Sequence, residues 1–252
     1  WTMDDHFPEG FYYRKGHPTI YHPAPSPWGL PYRAVYSVNI PNLFFAGRNI
    51  SVTHTAFSST RVMGTCAMLG QAVGTAAALA VQDSADSCKD VNVNKLQKTL
   101  LWDDCMLPGR PRITTDKTEK AKTDCPMLKD GNDRENPAIV KPGDAVSYEW
   151  DEPVYVEEVR VIFDSDLNRK RLNMPSSYPL NMPANHMPET LVKEYRLISV
   201  SESGEEIVIA EETKNRARFI KKPVGMMCKA LKLVPLATWG KETAAIYALD
   251  VK

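Results

Sequence analysis

The sequence predicts an α+β chain in two parts: a short mixed segment over residues 1–113, then an all-β antiparallel sandwich over residues 114–252. Three observations carry this. Residues 40–81, "IPNLFFAGRNISVTHTAFSSTRVMGTCAMLGQAVGTAAALAV", run from a short apolar stretch through a polar loop into a long uncharged segment. Pro108, Gly109 and Pro111 then break the chain, and the polar run "TTDKTEKAKTD" follows. From Asp144 onward apolar residues alternate with period two between turn residues, with no helical pattern among them.

Residues 1–36 are dense in aromatics and prolines, which forbid a continuous helix and interrupt any central strand. They read as extended, irregular chain. His17 and His22 are a weak metal signal within it, and surface decoration is the plainer reading. Residues 38–45 read as a short strand. A long helix follows over residues 62–81, and a second over residues 93–102 is closed by Pro108-Gly109. In "VEEVRVIFD", Val159, Val161 and Phe163 share one face of a strand. In "AAIYALDVK", Tyr247, Leu249 and Val251 alternate with Ala248, Asp250 and Lys252, and Ser203-Gly204 closes a hairpin. Between two strands lies "LNRKRLNMPSSYPLNMPANHMPETL", long enough for a functional loop.

With 43% hydrophobic and 25% charged residues, the 252-residue chain can build two modest cores. Its net charge is zero, so it carries no electrostatic footprint for nucleic acid or acidic lipid. Five scattered cysteines without C-x-x-C spacing signal no cluster, no structural zinc and no disulfide framework. The chain begins at Trp1 with no signal-like segment, so it reads as a piece of something longer, and its compartment is not legible.

The uncharged helix has about the length that spans a bilayer, but insertion is driven by Leu, Ile, Phe and Val. Here Ala, Gly, Thr, Cys, Met and Gln dominate, and Gly70, Gly74 and Ala78 share one ridge. That pattern predicts a helix buried in protein, pressed against a strand or a flat ligand. Its N-terminus, facing the polar loop, offers free N–H groups and positive potential to a planar, partly anionic ligand. Gly64 permits close backbone approach there. Plain packing explains the same glycines, and the residues alone leave both readings open.

The segment from Leu30 to Val81 closely resembles the C-terminal, flavin-proximal part of the FAD-dependent oxidoreductase family. The matching residues are Leu30-Pro31-Tyr32-Arg33, then "NLFFAGR" at 42–48, Ser51 with Thr53-His54, Arg61-Val62-Met63, and the small-residue run at 70–78. The resemblance extends over residues 28–107. It implies the C-terminal remnant of an α/β FAD-binding domain. Ala46, Gly47 and Arg48 would lie beside the ribityl-diphosphate, and Met63, Gly64 and Thr65 at the pyrimidine edge of the flavin. His54 and Arg61 would face the substrate as catalytic residues. The family's G-x-G-x-x-G, which holds the ADP half of the cofactor, occurs nowhere in these 252 residues. FAD is therefore expected in the intact parent rather than in this chain alone, which is expected to be inactive by itself.

The second part resembles a galactose-binding-like, discoidin-type jelly roll. The resemblance rests on the Asp130-Gly131 turn, Trp150, the strand "VRVIFD", and Thr238-Trp239-Gly240 before a final strand. Such modules bind sugars or hold a structural calcium. Asp130, Asp133 and Glu135 would be the calcium's oxygen donors, a plain surface turn being the alternative. Tyr178, Trp239 and His186 are candidates for a sugar platform. Two functions stand side by side: a piece of a flavoenzyme acting on a small molecule such as a sugar or organic acid, and a carbohydrate- or protein-binding sandwich without catalysis. Self-association through the uncovered N-terminal helix is open.

Overall fold

The computed structural model describes residues 3–22, 27–167 and 187–252. The chain forms two compact units, Trp1–Arg110 and Pro111–Lys252.

The N-terminal unit opens with an antiparallel pair that the sequence reading missed. Strands β1 (Met3–His6) and β2 (Thr19–His22) pair from Met3↔His22 to His6↔Thr19. Pro8 and Pro18 lie outside the paired residues, so they flank the ladder instead of breaking it. The strand expected over residues 38–45 does not form, and only an isolated bridge joins Tyr36 to Phe44. Pro41 sits in a tight turn closed by the Leu43 N–H donating to the Ile40 carbonyl, which folds the segment back on itself.

The polar loop is partly helical. Thr53 accepts a hydrogen bond from the Ala56 N–H and so caps α1 (His54–Thr60). Helix α2 (Met63–Gln82) and helix α3 (Val93–Trp102) follow, α3 capped by the Asn92 side chain on the Lys95 N–H. Leu96 and Leu100 of α3 pack with Ala76 and Leu79 of α2, Val91 and Cys105. Burial of α2, however, is one-sided. Only Leu69, Ala76 and Leu79 are buried, while Met63, Met68 and Val81 are exposed. The expectation of a buried helix is corrected for the described residues, because a single helix and the segment near Leu30 cover one flank only. By length and composition alone α2 could cross a membrane.

In the C-terminal unit a short helix α4 (Asp116–Lys120) precedes six antiparallel strands. These are β3 (Ala138–Val140), β4 (Val146–Phe163), β5 (Val192–Val200), β6 (Glu206–Glu212), β7 (Phe219–Thr238) and β8 (Ala244–Val251). Their order is β3-β8-β4-β7-β5-β6. β4 and β7 are unusually long, and their pairing shifts register between Glu149 and Val154 and again between Val156 and Glu158. Such bulges bend a strand. Residues from both halves of β4, Val146 and Tyr148 as well as Val161 and Phe163, consequently share one core. The sheet closes over that core as an antiparallel sandwich.

Alternation gives the wrong reading for β8. Ala248 and Asp250, expected on an outer face, are fully buried. Arg112 Nη1 donates to Asp250 at 2.7 Å and Arg160 Nη1 at 3.4 Å, while Arg160 Nη2 reaches Asp133 at 2.6 Å. Arg112 lies on the N-terminal side of the sequence-derived boundary, yet its side chain is enclosed by the sandwich. It is held there through Gly131, whose φ of +81° and contact with the Arg112 carbonyl leave no room for a Cβ.

Candidate functional site

The expected site residues lie on three segments of the N-terminal unit: the loop at 46–48, helix α1 with its C-cap Arg61, and the first turn of α2. Thr65 Oγ1 donates to the Ser59 carbonyl at 3.4 Å, and Cys66 Sγ approaches the Thr60 carbonyl at 3.6 Å, so the first turn of α2 is tied to the last turn of α1. No side chain caps α2, which leaves the N–H groups of Met63, Gly64 and Thr65 directed outward at the positive end of a 20-residue helix. A Cβ built at Gly64 meets nothing within 4 Å, so that end of the helix is open. Arg48 crosses from the preceding loop, its guanidinium 5.4 Å from the centre of the Phe57 ring. Ala46 and Arg48 are exposed, and Gly47 between them has a φ of +152°, a conformation that favours glycine.

His54 and Arg61 are both exposed, but they occupy opposite ends of α1, His54 as its first residue and Arg61 as its C-cap. At 1.5 Å per residue, the helix separates them by about 10 Å along its axis. Arg61 lies next to the open start of α2, and His54 lies away from it.

A cavity of about 720 Å³ opens elsewhere on the unit. Ala56, Ser59 and Thr60 of α1 line it, together with Trp28, Leu30 and Arg33 from the preceding segment. Neither His54 nor Arg61 lines it. Arg33 was part of the matching motif but was not singled out as a site residue. The signal that could have found it is an Arg between the buried Ala34 and Tyr32, whose hydroxyl is held on the Cys88 carbonyl at 2.5 Å. With both neighbours turned inward, the residue between them faces out.

Residues 1–100 match the family described as FAD dependent oxidoreductase. The match covers less than half of the 252-residue chain. No curated protein is similar to the chain at a significant level. Several solved carbohydrate-binding modules resemble its second part in structure. The family 32 module of Streptococcus pneumoniae EndoD shares 12% identity over 55% of this chain and 99% of its own, with a TM-score of 0.40. The family 32 module of C. perfringens NanJ, in complex with galactose, shares 13% over 55% and 97%, with a TM-score of 0.39. The pairing and common core of the strands carry the sandwich assignment independently of these likenesses.

Within the segment that matches the family model, Arg61 immediately precedes the start of α2, and Arg48 stacks on Phe57 of α1. The sandwich candidates fare differently. Asp133, read as a calcium donor, is instead engaged by the guanidinium groups of Arg112 and Arg160. Asp130 accepts from the Asn132 N–H, and Glu135 accepts from Asn132 Nδ2. That is a hydrogen-bonded turn, and no cluster of metal-ligating side chains occurs among the described residues. Trp239 packs on the core, donates from Nε1 to the Asn215 carbonyl at 2.8 Å, and has Lys193 Nζ 5.8 Å from its ring centre. Tyr178 and His186 lie outside the described residues.

Proposed function

We propose that residues 1–113 contribute the isoalloxazine and ribityl side of the flavin site in an FAD-dependent oxidoreductase that acts on a small molecule. The observation that carries this reading is the uncapped, open start of α2 at Met63-Gly64-Thr65 within the segment that matches the family. When bound, the flavin would supply hydride or electron transfer. The chain's own part is to present backbone N–H groups to the pyrimidine edge, where negative charge gathers on reduction, and so favour the reduced form. Arg61, adjacent to that edge, is placed to hold an anionic substrate group or a developing oxyanion. His54 stands further off as a general base for a substrate that extends along α1. Residues 111–252 form the second compact unit, the sandwich. A sugar-binding role for it would need a free aromatic face, and Trp239 is occupied by its core packing, its hydrogen bond and Lys193.

The test is turnover in the intact flavoprotein. Both side chains are exposed, so Arg61→Lys and His54→Ala should leave the melting temperature within about 1–2 °C of the parent, as surface substitutions do. Arg61→Lys should lower kcat/KM by about 10-fold or more through loss of the planar fork, and His54→Ala by about 100-fold as a missing base. Full activity in both variants would reject these roles.

A further inference from the structure

The cavity beside α1 has a composition that the flavin reading does not use. Its walls are mostly apolar, with Thr53, Ser59 and Thr60 among the polar residues that line it. Arg33 is the single charged residue among the described lining residues. Its guanidinium is solvent-facing and enters no ion pair among the described residues, whereas Tyr32 and Ala34 on either side are fixed inward. A volume of about 720 Å³ suits a small organic molecule, and a mostly apolar wall with few polar groups is the usual make-up of such a site.

We propose that this cavity binds an organic carboxylic acid with an apolar or aromatic body, Arg33 taking the carboxylate and the Trp28–Leu30 wall taking the body. A guanidinium presents paired donors in one plane, which match the two oxygens of a carboxylate. The apolar surroundings strengthen that pairing relative to open water, because competing solvent is partly removed. A neutral sugar would leave the guanidinium without its complement, and an apolar ligand would cover it at a desolvation cost. Thr60, whose hydroxyl donates to the Phe57 carbonyl at 3.2 Å, keeps an oxygen that can accept from a second polar group on the acid. The cavity adjoins the start of α2 through Ser59 and Thr60, but Met63, Gly64 and Thr65 do not line it, so the assignment does not depend on the flavin reading.

The test uses the full chain and two probes of equal shape, phenylacetate and phenylacetamide. Trp28 in the wall reports binding through its fluorescence, and amide chemical shifts of residues 28–34 and 53–60 report position. Phenylacetate is expected to bind at least about 10-fold more tightly than the amide, the scale of one charge-assisted bidentate contact. Arg33→Gln should bring the two affinities together, Arg33→Lys should keep part of the preference, and Lys98→Gln, at an exposed position of α3, should leave it unchanged. Equal affinities for the two probes, no binding of either, or an unchanged preference in Arg33→Gln would each overturn the proposal. Thermal melts of each variant check folding, and if Arg33→Gln is unfolded, the ratio in Arg33→Lys decides. FAD added in competition separates the two readings: displacement of phenylacetate places the flavin itself in this cavity and overturns the carboxylate assignment.

Discussion

Replacing Arg112 by methionine removes one guanidinium from the interior of the sandwich and leaves its partners where they are. The Arg112 side chain is 2% exposed, and Asp250, its partner at 2.7 Å, is fully buried. Afterwards Asp250 keeps only Arg160 Nη1 at 3.4 Å, while Asp133 keeps Arg160 Nη2 at 2.6 Å. Breaking a buried pair from one side costs about 3–5 kcal/mol, because the remaining charge stays desolvated. Arg112 Nη2 has no hydrogen-bond partner, which puts the expected loss at the lower end, about 3 kcal/mol. At about 2–4 °C per kcal/mol for a domain of this size, the melting temperature of the sandwich should fall by roughly 6–12 °C. Arg196→Met is the control: its pair with Glu211 is 2.9 Å long but nearly half exposed on both sides, so its loss should cost under about 1 kcal/mol. The double variant Arg112→Met, Asp250→Leu leaves the Arg160–Asp133 pair intact and should recover at least half of the single loss. Melts of the full chain followed by circular dichroism and by guanidinium titration measure all three. A shift for Arg112→Met no larger than that for Arg196→Met would refute the claim that burial, and not proximity, sets the worth of these pairs.

Burial pushes the Asp250 carboxyl up to about 6, against the pull of Arg112 and Arg160. A folded value above the unfolded one, near 3.9, gives stability that is fully present below about pH 4 and is lost as pH rises through about 6, to a total of roughly 3 kcal/mol. Asp250→Asn should therefore flatten the melting temperature across that window relative to the parent, and parallel pH profiles would contradict the assignment. Gly131→Ala should destabilise the sandwich by more than about 3 kcal/mol, since its Cβ would lie 2.3 Å from the Arg112 carbonyl at a φ of +81°. Gly204→Ala, at a φ of +83° in open space, should cost about 1 kcal/mol, and equal losses from the two would remove the close contact as the cause.

Local pattern made parts of this architecture readable. The 3.6-residue period and Asn92 cap define α3, and Ser203-Gly204 marks the β5–β6 hairpin, because each signal lies within a few residues of its effect. The charge network was not readable. Arg112 and Asp250 stand 138 residues apart, and Asp250 sits at an alternation position that ordinarily faces water. The short helix α1 was hidden by its own composition: Thr, Ser and Phe are poor helix formers, and its cap and tertiary contacts, such as Ser58 Oγ accepting from the Asp4 N–H, hold it. Residues 38–45 carry a strand's composition but find no partner strand. Around the candidate site, Arg61 and Met63-Gly64-Thr65 are neighbours in sequence. Only the helix between them separates His54 from that point.

The account rests on the start of α2 as a flavin contact, and amide NMR of the chain titrated with flavin mononucleotide tests it most directly. That probe carries the isoalloxazine and ribityl phosphate without the adenosine half. The expected shifts centre on Met63, Gly64 and Thr65, with Ala46, Gly47 and Arg48 following, and FAD should bind no more than a few-fold tighter because the chain has no G-x-G-x-x-G to receive its adenosine end. Shifts confined to other residues, or none at saturating flavin, would contradict the assignment.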